Sequence, residues 1–236
     1  MMRSTQAILI IGLALLWALA GPASAQEESV RPGINKSFED PDVKEFIERF
    51  ERDGREIYDN RLKILETLGL EKGRSVADIG AGTGFFARMF SEKVGPTGKV
   101  YAVEIAQNFL DHIDEKSKEA GIRNIVPVLG DDHSPKLPEG SVDVVFICDT
   151  YHHFEYPFDM MESIHRALRP GGRVVIVDFE RIKGVTSDFS IEHVRCGKGT
   201  VTDEVKDSGF DFVREVPILK TQYVIVFEKR PHEFKN

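Results

Sequence analysis

Cysteine is scarce in this chain of 236 residues, which has only Cys148 and Cys196. Two cysteines are too few for a disulfide scaffold. No C-x-x-C pair or Cys/His cluster with zinc-ligand spacing occurs, so the sequence predicts no metal site. Three interpretations of the two thiols remain open. They are unpaired groups that pack in the core, a disulfide formed in an oxidising compartment, or thiols with a reactive or soft-metal role.

An excess of positive charge is also lacking. The 31 Lys and Arg residues are outnumbered by 39 Asp and Glu residues, giving a formal net charge of −8. An acidic chain without a basic stripe is poorly suited to phosphate backbones or anionic lipid, so we expect a small-molecule partner and no nucleic acid. The length fits one α/β domain with a short extra segment.

No hydrophobic run is long enough to cross a bilayer comfortably, and the longest, residues 7–20, lies near the start of the chain. Arg3 precedes it, and Ala23-Ser24-Ala25 follows with the small-x-small pattern of a signal-peptidase site. Residues 1–25 are therefore predicted to be a signal peptide cleaved after Ala25, which implies export, in a bacterium to the periplasm, with no stable membrane span afterwards. An uncleaved N-terminal anchor is the alternative.

The rest of the chain divides into three parts. We expect a lead-in and one helix over residues 26–54, the main domain over 55–230 and a short tail over 231–236. Apolar residues at helical spacing predict helices over Pro41–Phe50 and Arg55–Leu68.

A glycine loop after the first strand is the most informative stretch. Val76–Ile79 is a short apolar run typical of a buried strand, and helix-compatible residues begin at Phe85. The turn between them contains Gly80, Ala81, Gly82 and Gly84. Such a turn brings backbone N–H groups against a ligand, with the Asp78 carboxylate beside it. Phe85 stands where a dinucleotide loop needs its third glycine, and no P-loop pattern occurs, so another nucleotide cofactor is expected.

The run Asp78–Gly84 resembles the first motif of the Rossmann-like, seven-stranded S-adenosylmethionine-dependent methyltransferases. A sulfonium cofactor has no pyrophosphate, so an acid beside the glycines is tolerable. The resemblance extends over about residues 55–229 and is closest to small-molecule methyltransferases. It implies a doubly wound α/β fold whose mostly parallel seven-stranded sheet has an antiparallel last strand, with N-terminal helices added. In this family such helices cover the cofactor, although here they could merely pack on the sheet.

Three acids are assigned to the cofactor beyond the glycine loop. Glu104 ends the second predicted strand about 20 residues after the loop, where a carboxylate can accept hydrogen bonds from both ribose hydroxyls. The resemblance implies that Asp131 accepts the adenine amino proton. Asp132 would serve through its backbone or not at all.

The acceptor end of the site is expected where the fourth strand ends. Asp149, His152 and His153 follow that strand, and ligands bind at this edge of an open α/β sheet. An imidazole near its usual pKa suits proton removal from an attacking group, but either histidine could instead bond the backbone or cap a helix. The stretch lacks the two prolines of nucleic-acid amino-methyltransferases, which argues against a nucleobase acceptor.

These observations predict an S-adenosylmethionine-dependent methyltransferase that acts on a small nucleophile by in-line displacement. The leading alternative is an exported, non-catalytic module that binds a cofactor or metabolite, because little cofactor is expected outside the cytoplasm. An oxidoreductase is third, disfavoured by Phe85 and by the closing strand pair.

Overall fold

A computed structural model describes residues 26–231. The predicted signal peptide, residues 1–25, and residues 232–236 of the predicted tail lie outside this range. Within it, none of the helices combines the length and the apolar character needed to cross a bilayer.

Seven strands form one sheet in the order β3-β2-β1-β4-β5-β7-β6. Their bounds are β1 Ser75–Ile79, β2 Lys99–Glu104, β3 Ile125–Leu129, β4 Val142–Cys148, β5 Leu168–Phe179, β6 Phe210–Glu215 and β7 Gln222–Lys229. The pairs among β1 to β5 are parallel, whereas β7 runs antiparallel to both β5 and β6. The predicted fold class, including the antiparallel last strand, is confirmed.

Eight α-helices connect or flank these strands in the described range. They are α1 Val43–Phe50, α2 Glu56–Asp59, α3 Arg61–Thr67, α4 Phe85–Val94, α5 Gln107–Glu119, α6 Pro157–Ala167, α7 Asp188–His193 and α8 Lys198–Asp207. Short 3-10 turns cover Lys36–Phe38 and Tyr151–His153.

The core has two layers because both faces of the parallel strands are covered by helices. On one face, Ala77 of β1 packs in a cluster with Met161 and other residues of α6 and α8. On the other, Val76 packs with Phe90 and other residues of α3, α4 and α5. Buried on both sides, these strands are continuous apolar runs, which is why the sequence located them.

Helix bounds differ from the expectations in the N-terminal part. Helix α1 begins at Val43, and the carboxylate of Asp42 caps it by accepting from the N–H groups of the first turn. The helix expected over Arg55–Leu68 is divided at Asn60 into α2 and α3. The break changes the helical phase, so the apolar Leu62 is 61% exposed while Ile64 is fully buried.

Two later segments have local features of their own. Residues 169–172 belong to strand β5, whose pairing with β4 shifts register there. The stretch over residues 179–199, which is polar in sequence, contains helix α7 and the start of α8.

Candidate cofactor and acceptor site

The glycine loop leaves β1 in a conformation that favours glycine. Gly80, Gly82 and Gly84 have φ values of 73°, 53° and 74°, in the left-handed region that other residues rarely adopt. A Cβ on Gly80 would lie 2.9 Å from Cβ of Thr150 and closer still to both γ atoms of that side chain. The loop therefore needs glycine for its conformation and, at Gly80, for the close approach of the chain after β4.

Two buried carboxylates lie beside this loop. Glu104 Oε1 accepts from the Gly82 N–H at 2.6 Å, and its Oε2 accepts from the Ile105 N–H at 3.0 Å. Asp78 Oδ2 is buried and has no hydrogen-bond partner within the described residues. Burial, followed by repulsion from Glu104, raises the pKa of Asp78 to about 8, and burial also raises the pKa of Glu104. Two buried acids that have no cationic partner among the described residues favour a ligand that carries positive charge.

A cavity of about 1040 Å³, measured with its open mouth, extends from the glycine loop along the carboxyl ends of the parallel strands. Loop residues, both buried acids and the segments after β3 and β4 line it. The N-terminal part contributes Asn35, Phe38, Phe50 and Arg55. The N-terminal segment thus lines part of the cavity, through Phe50 of α1 and through Asn35 and Phe38 of the lead-in before that helix.

The structure places both adenine candidates at the cavity, but their side chains already have partners. Asp131 Oδ1 accepts from the N–H groups of His133 and Ser134, and its Oδ2 pairs with Lys136 at 2.8 Å. Slight burial opposes ionisation, but these contacts outweigh it and lower the pKa of Asp131. Asp132 Oδ1 accepts from the Asn35 side-chain amide at 3.2 Å.

Asp149 lines the cavity one residue before Thr150, the residue that closely approaches Gly80. Its φ of 50° is unusual for a residue other than glycine. Arg55 Nη2 donates to its Oδ2 at 2.7 Å, and the Gln222 amide donates to its Oδ1. Burial raises the pKa of Asp149, with Arg55 opposing the shift. The pair joins the N-terminal segment to the end of β4.

The two predicted histidines have different surroundings. His152 is buried, does not line the cavity, and bonds Asp178 through Nδ1 at 2.8 Å. Burial opposes protonation of His152, but Asp178 outweighs it and raises its pKa. His153 lines the cavity, and burial together with His152 and His193 lowers its pKa to about 2. His153 is thus neutral at physiological pH.

Sequence reasoning missed one member of this group. His193, the last residue of α7, has its Nε2 3.3 Å from Nε2 of His153. It lies 40 residues further along the chain, in a polar stretch without periodicity.

Both cysteines are free, Cys148 in the cavity lining and Cys196 packed against the core. Burial raises the pKa of both thiols, that of Cys196 to about 11, which favours packing groups over reactive thiolates.

The strand order, the glycine loop and the acids at two strand ends are similar to those of the Rossmann-like S-adenosylmethionine-dependent methyltransferases. A ligand with a sulfonium and an ammonium group suits the Asp78 oxygen that has no partner within the described residues, and the cavity beside the glycine turn could hold such a ligand. Residues 77–176 match the family model of the methyltransferase domain. The resemblance expected from the sequence is confirmed.

Individual relatives agree with this class. The chain is 34% identical over 118 residues to a demethylmenaquinone methyltransferase of Lactococcus lactis, covering 50% of this chain and 47% of the relative. It is 31% identical to a ubiquinone/menaquinone biosynthesis C-methyltransferase of Ectopseudomonas mendocina, covering 50% and 46%. A solved S-adenosylmethionine-dependent methyltransferase of Aquifex aeolicus superimposes with a TM-score of 0.71 at 26% identity, covering 80% of this chain and 99% of that one. The matched stretch spans about half the length of these curated relatives.

Proposed function

We propose that this protein transfers the methyl group of S-adenosylmethionine to a small-molecule nucleophile bound in the same cavity. The observation that carries the proposal is the pairing of Glu104 with the Gly82 N–H beside Asp78, whose Oδ2 is buried without a hydrogen-bond partner within the described residues. Together the two carboxyl groups form an acidic cradle for a nucleoside with a cationic end.

The bound cofactor supplies a methyl carbon with an excellent leaving group, so attack by the acceptor gives the methylated product, a neutral thioether and one proton. The chain then needs to align the acceptor, exclude water and hold that proton. Phe38 and Phe50 line the cavity with apolar surface, which disfavours water beside the reacting groups. Asp149, which accepts from Arg55 and lines the cavity, is the group to which we assign that proton.

The acceptor is inferred to be a small molecule rather than a nucleic acid. The net charge of −8 and the acids around the cavity would repel a phosphate backbone. Two similar proteins are named as quinone methyltransferases. The apolar mouth makes demethylated quinones reasonable first compounds for an acceptor screen, alongside phenols, thiols and amines.

The test is transfer of labelled methyl from the cofactor to extracts of the cell envelope and to that panel. We expect label in a small organic product, strongly reduced in Glu104→Gln and unchanged in Glu228→Gln, an exposed acid on β7. Cofactor binding without transfer to any acceptor would instead identify the non-catalytic module, and label in nucleic acid would overturn the acceptor class.

We also propose that the chain is exported after cleavage behind Ala25. The Gln26 backbone nitrogen donates to Asp159 Oδ1 at 2.8 Å, so a newly formed terminal ammonium would have a carboxylate partner. N-terminal sequencing of the protein recovered from a periplasmic fraction tests this. A terminus at Gln26 supports export, whereas an intact Met1 in the cytoplasmic fraction refutes it.

A further inference from the structure

Three histidines form a cluster next to the cofactor cavity. Methyl transfer as proposed above gives this group of three no joint role. His152 and His153 lie on the turn after β4, and His193 ends α7. Each offers a ring nitrogen, and the three nitrogens lie within 4.8 Å of one another. The ring centroids are 4.3, 5.2 and 5.1 Å apart.

The spacing of two of these nitrogens is that of neighbouring ligands on a tetrahedral metal. A Zn–N bond of about 2.0–2.1 Å and a tetrahedral angle give an N···N separation of about 3.3–3.4 Å. The Nε2 atoms of His153 and His193 are 3.3 Å apart. Without a shared proton, two neutral imidazole lone pairs at this distance repel each other, and a cation between them converts the repulsion into coordination.

The third histidine has the partner that metal-ligating histidines usually have. His152 Nδ1 bonds the buried carboxylate of Asp178, which also accepts from the His152 backbone N–H. A carboxylate on one ring nitrogen fixes the tautomer and leaves the lone pair on the other nitrogen for a metal. Asp178 is 1% exposed, so it also supplies a buried negative charge close to the cluster.

Two more observations favour a bound ion over a network of hydrogen bonds. His153 Nδ1 is buried without a partner within the described residues, so the protein alone does not satisfy this ring. Aromatic rings pack against each histidine: Phe38 lies edge-on to His153, Phe179 edge-on to His152, and Phe189 stacks on His193. Apolar groups beside a metal site limit its contact with solvent.

We propose that His152, His153 and His193 bind one divalent transition-metal ion of the zinc type, with an open fourth position on the cavity. Three imidazoles with one vacant position are typical of catalytic rather than structural zinc. His153 is shared between the cluster and the cavity wall, so the open position lies at the acceptor end. There the ion would hold an oxygen, sulfur or nitrogen donor of the acceptor. This last role rests on the proposed function, whereas metal binding itself does not.

The test uses Zn²⁺ and Co²⁺ as probes on the purified, metal-stripped protein. We expect one equivalent of Co²⁺ to give the intense visible bands of four-coordinate cobalt, and Zn²⁺ to displace it. His193→Gln should weaken binding more than about 100-fold, and Asp178→Asn by about 10–100-fold. His112→Gln, on helix α5 away from the cluster, is the matched control. Azide should shift the cobalt bands if the fourth position is open.

Cofactor titration of the same samples separates this proposal from the proposed function. If His193→Gln binds the cofactor but not cobalt, the variant is folded and the ligand assignment stands. No cobalt binding by the wild type, or equal binding by wild type and His193→Gln, overturns the metal site. Metal binding without cofactor binding leaves the metal site standing and overturns methyl transfer.

Discussion

Arg55 and Asp149 join the two walls of the cavity through a contact of 2.7 Å between Nη2 and Oδ2, with side chains 19% and 17% exposed. Arg55 precedes α2 in the N-terminal segment, whereas Asp149 follows β4. Arg55 also lies over the Phe50 ring, 4.7 Å from its centroid. This pair is therefore a charged link between the N-terminal segment and the sheet edge, as is the contact of Glu51 with Thr83 and Arg88.

Arg55→Met should destabilise the protein by about 1–3 kcal/mol, because it leaves a largely buried carboxylate without its cation. Arg55→Met combined with Asp149→Asn should be less destabilised than the single Arg55 variant. Urea unfolding of the four proteins of this cycle measures both effects. Strict additivity of the two changes would show that the pair is not energetically coupled.

Asp78→Asn should stabilise the cofactor-free protein increasingly as pH rises. The folded-state pKa of Asp78, about 8, lies above its ordinary value of 3.8. The folded state therefore keeps a proton that the unfolded chain has lost, and its stability falls as pH rises from about 4 through about 8. Thermal unfolding of both proteins between pH 5 and 9 is the measurement. A gap in Tm that stays constant over this range contradicts the raised pKa.

Gly80→Ala should cost about 3 kcal/mol or more, because the added methyl group meets the Thr150 side chain. Gly121→Ala is the matched control, since Gly121 has a φ of 68° and open space around it. The control should lose only about 1 kcal/mol, from backbone strain alone. Equal losses in the two variants would mean that the loop and the chain after β4 are not in close contact.

Asp159→Asn should destabilise a chain that begins at Gln26 more than one that retains the preceding residues. Only the processed chain has a terminal ammonium opposite Asp159, whose other oxygen bonds His133 Nδ1 at 2.7 Å. The difference should be about 0.5–1 kcal/mol at pH 6 and vanish above about pH 9, as a terminal amine loses its proton. Unfolding of the two chain lengths at both pH values measures it, and a difference that persists at high pH argues against an ion pair.

The arrangement of the strands and the position of Glu104 beside the glycine loop could be predicted from the sequence because parallel sheets impose strong local patterns. Strands buried on both faces are apolar runs, and their carboxyl ends lie side by side in the sheet. This is why Glu104, predicted from its distance along the chain, contacts Gly82. Prediction failed where tertiary packing determines the local structure. Asn60 interrupts a continuous helical pattern, so the apolar Leu62 faces solvent.

The histidine cluster and the cover of the cavity were beyond sequence reasoning for a different reason. Phe38 and His193 both contact His153. They come from two polar stretches far apart in the sequence, one before α1 and the other after β5. Neither stretch has a periodic pattern or a motif with fixed spacing. Contacts of this kind depend on how irregular segments cross the sheet edge, and composition carries no signal for that.

Calorimetric titration with S-adenosylmethionine, compared with NAD, tests the central claim most directly. We predict saturable one-to-one binding of the sulfonium cofactor, no heat with NAD, and loss of at least tenfold in affinity on Glu104→Gln, equivalent to about 1.4 kcal/mol. The Glu228→Gln control should bind like the wild type. Absence of heat with the sulfonium cofactor, or equal affinity in wild type and Glu104→Gln, would contradict a cofactor site at the end of β1.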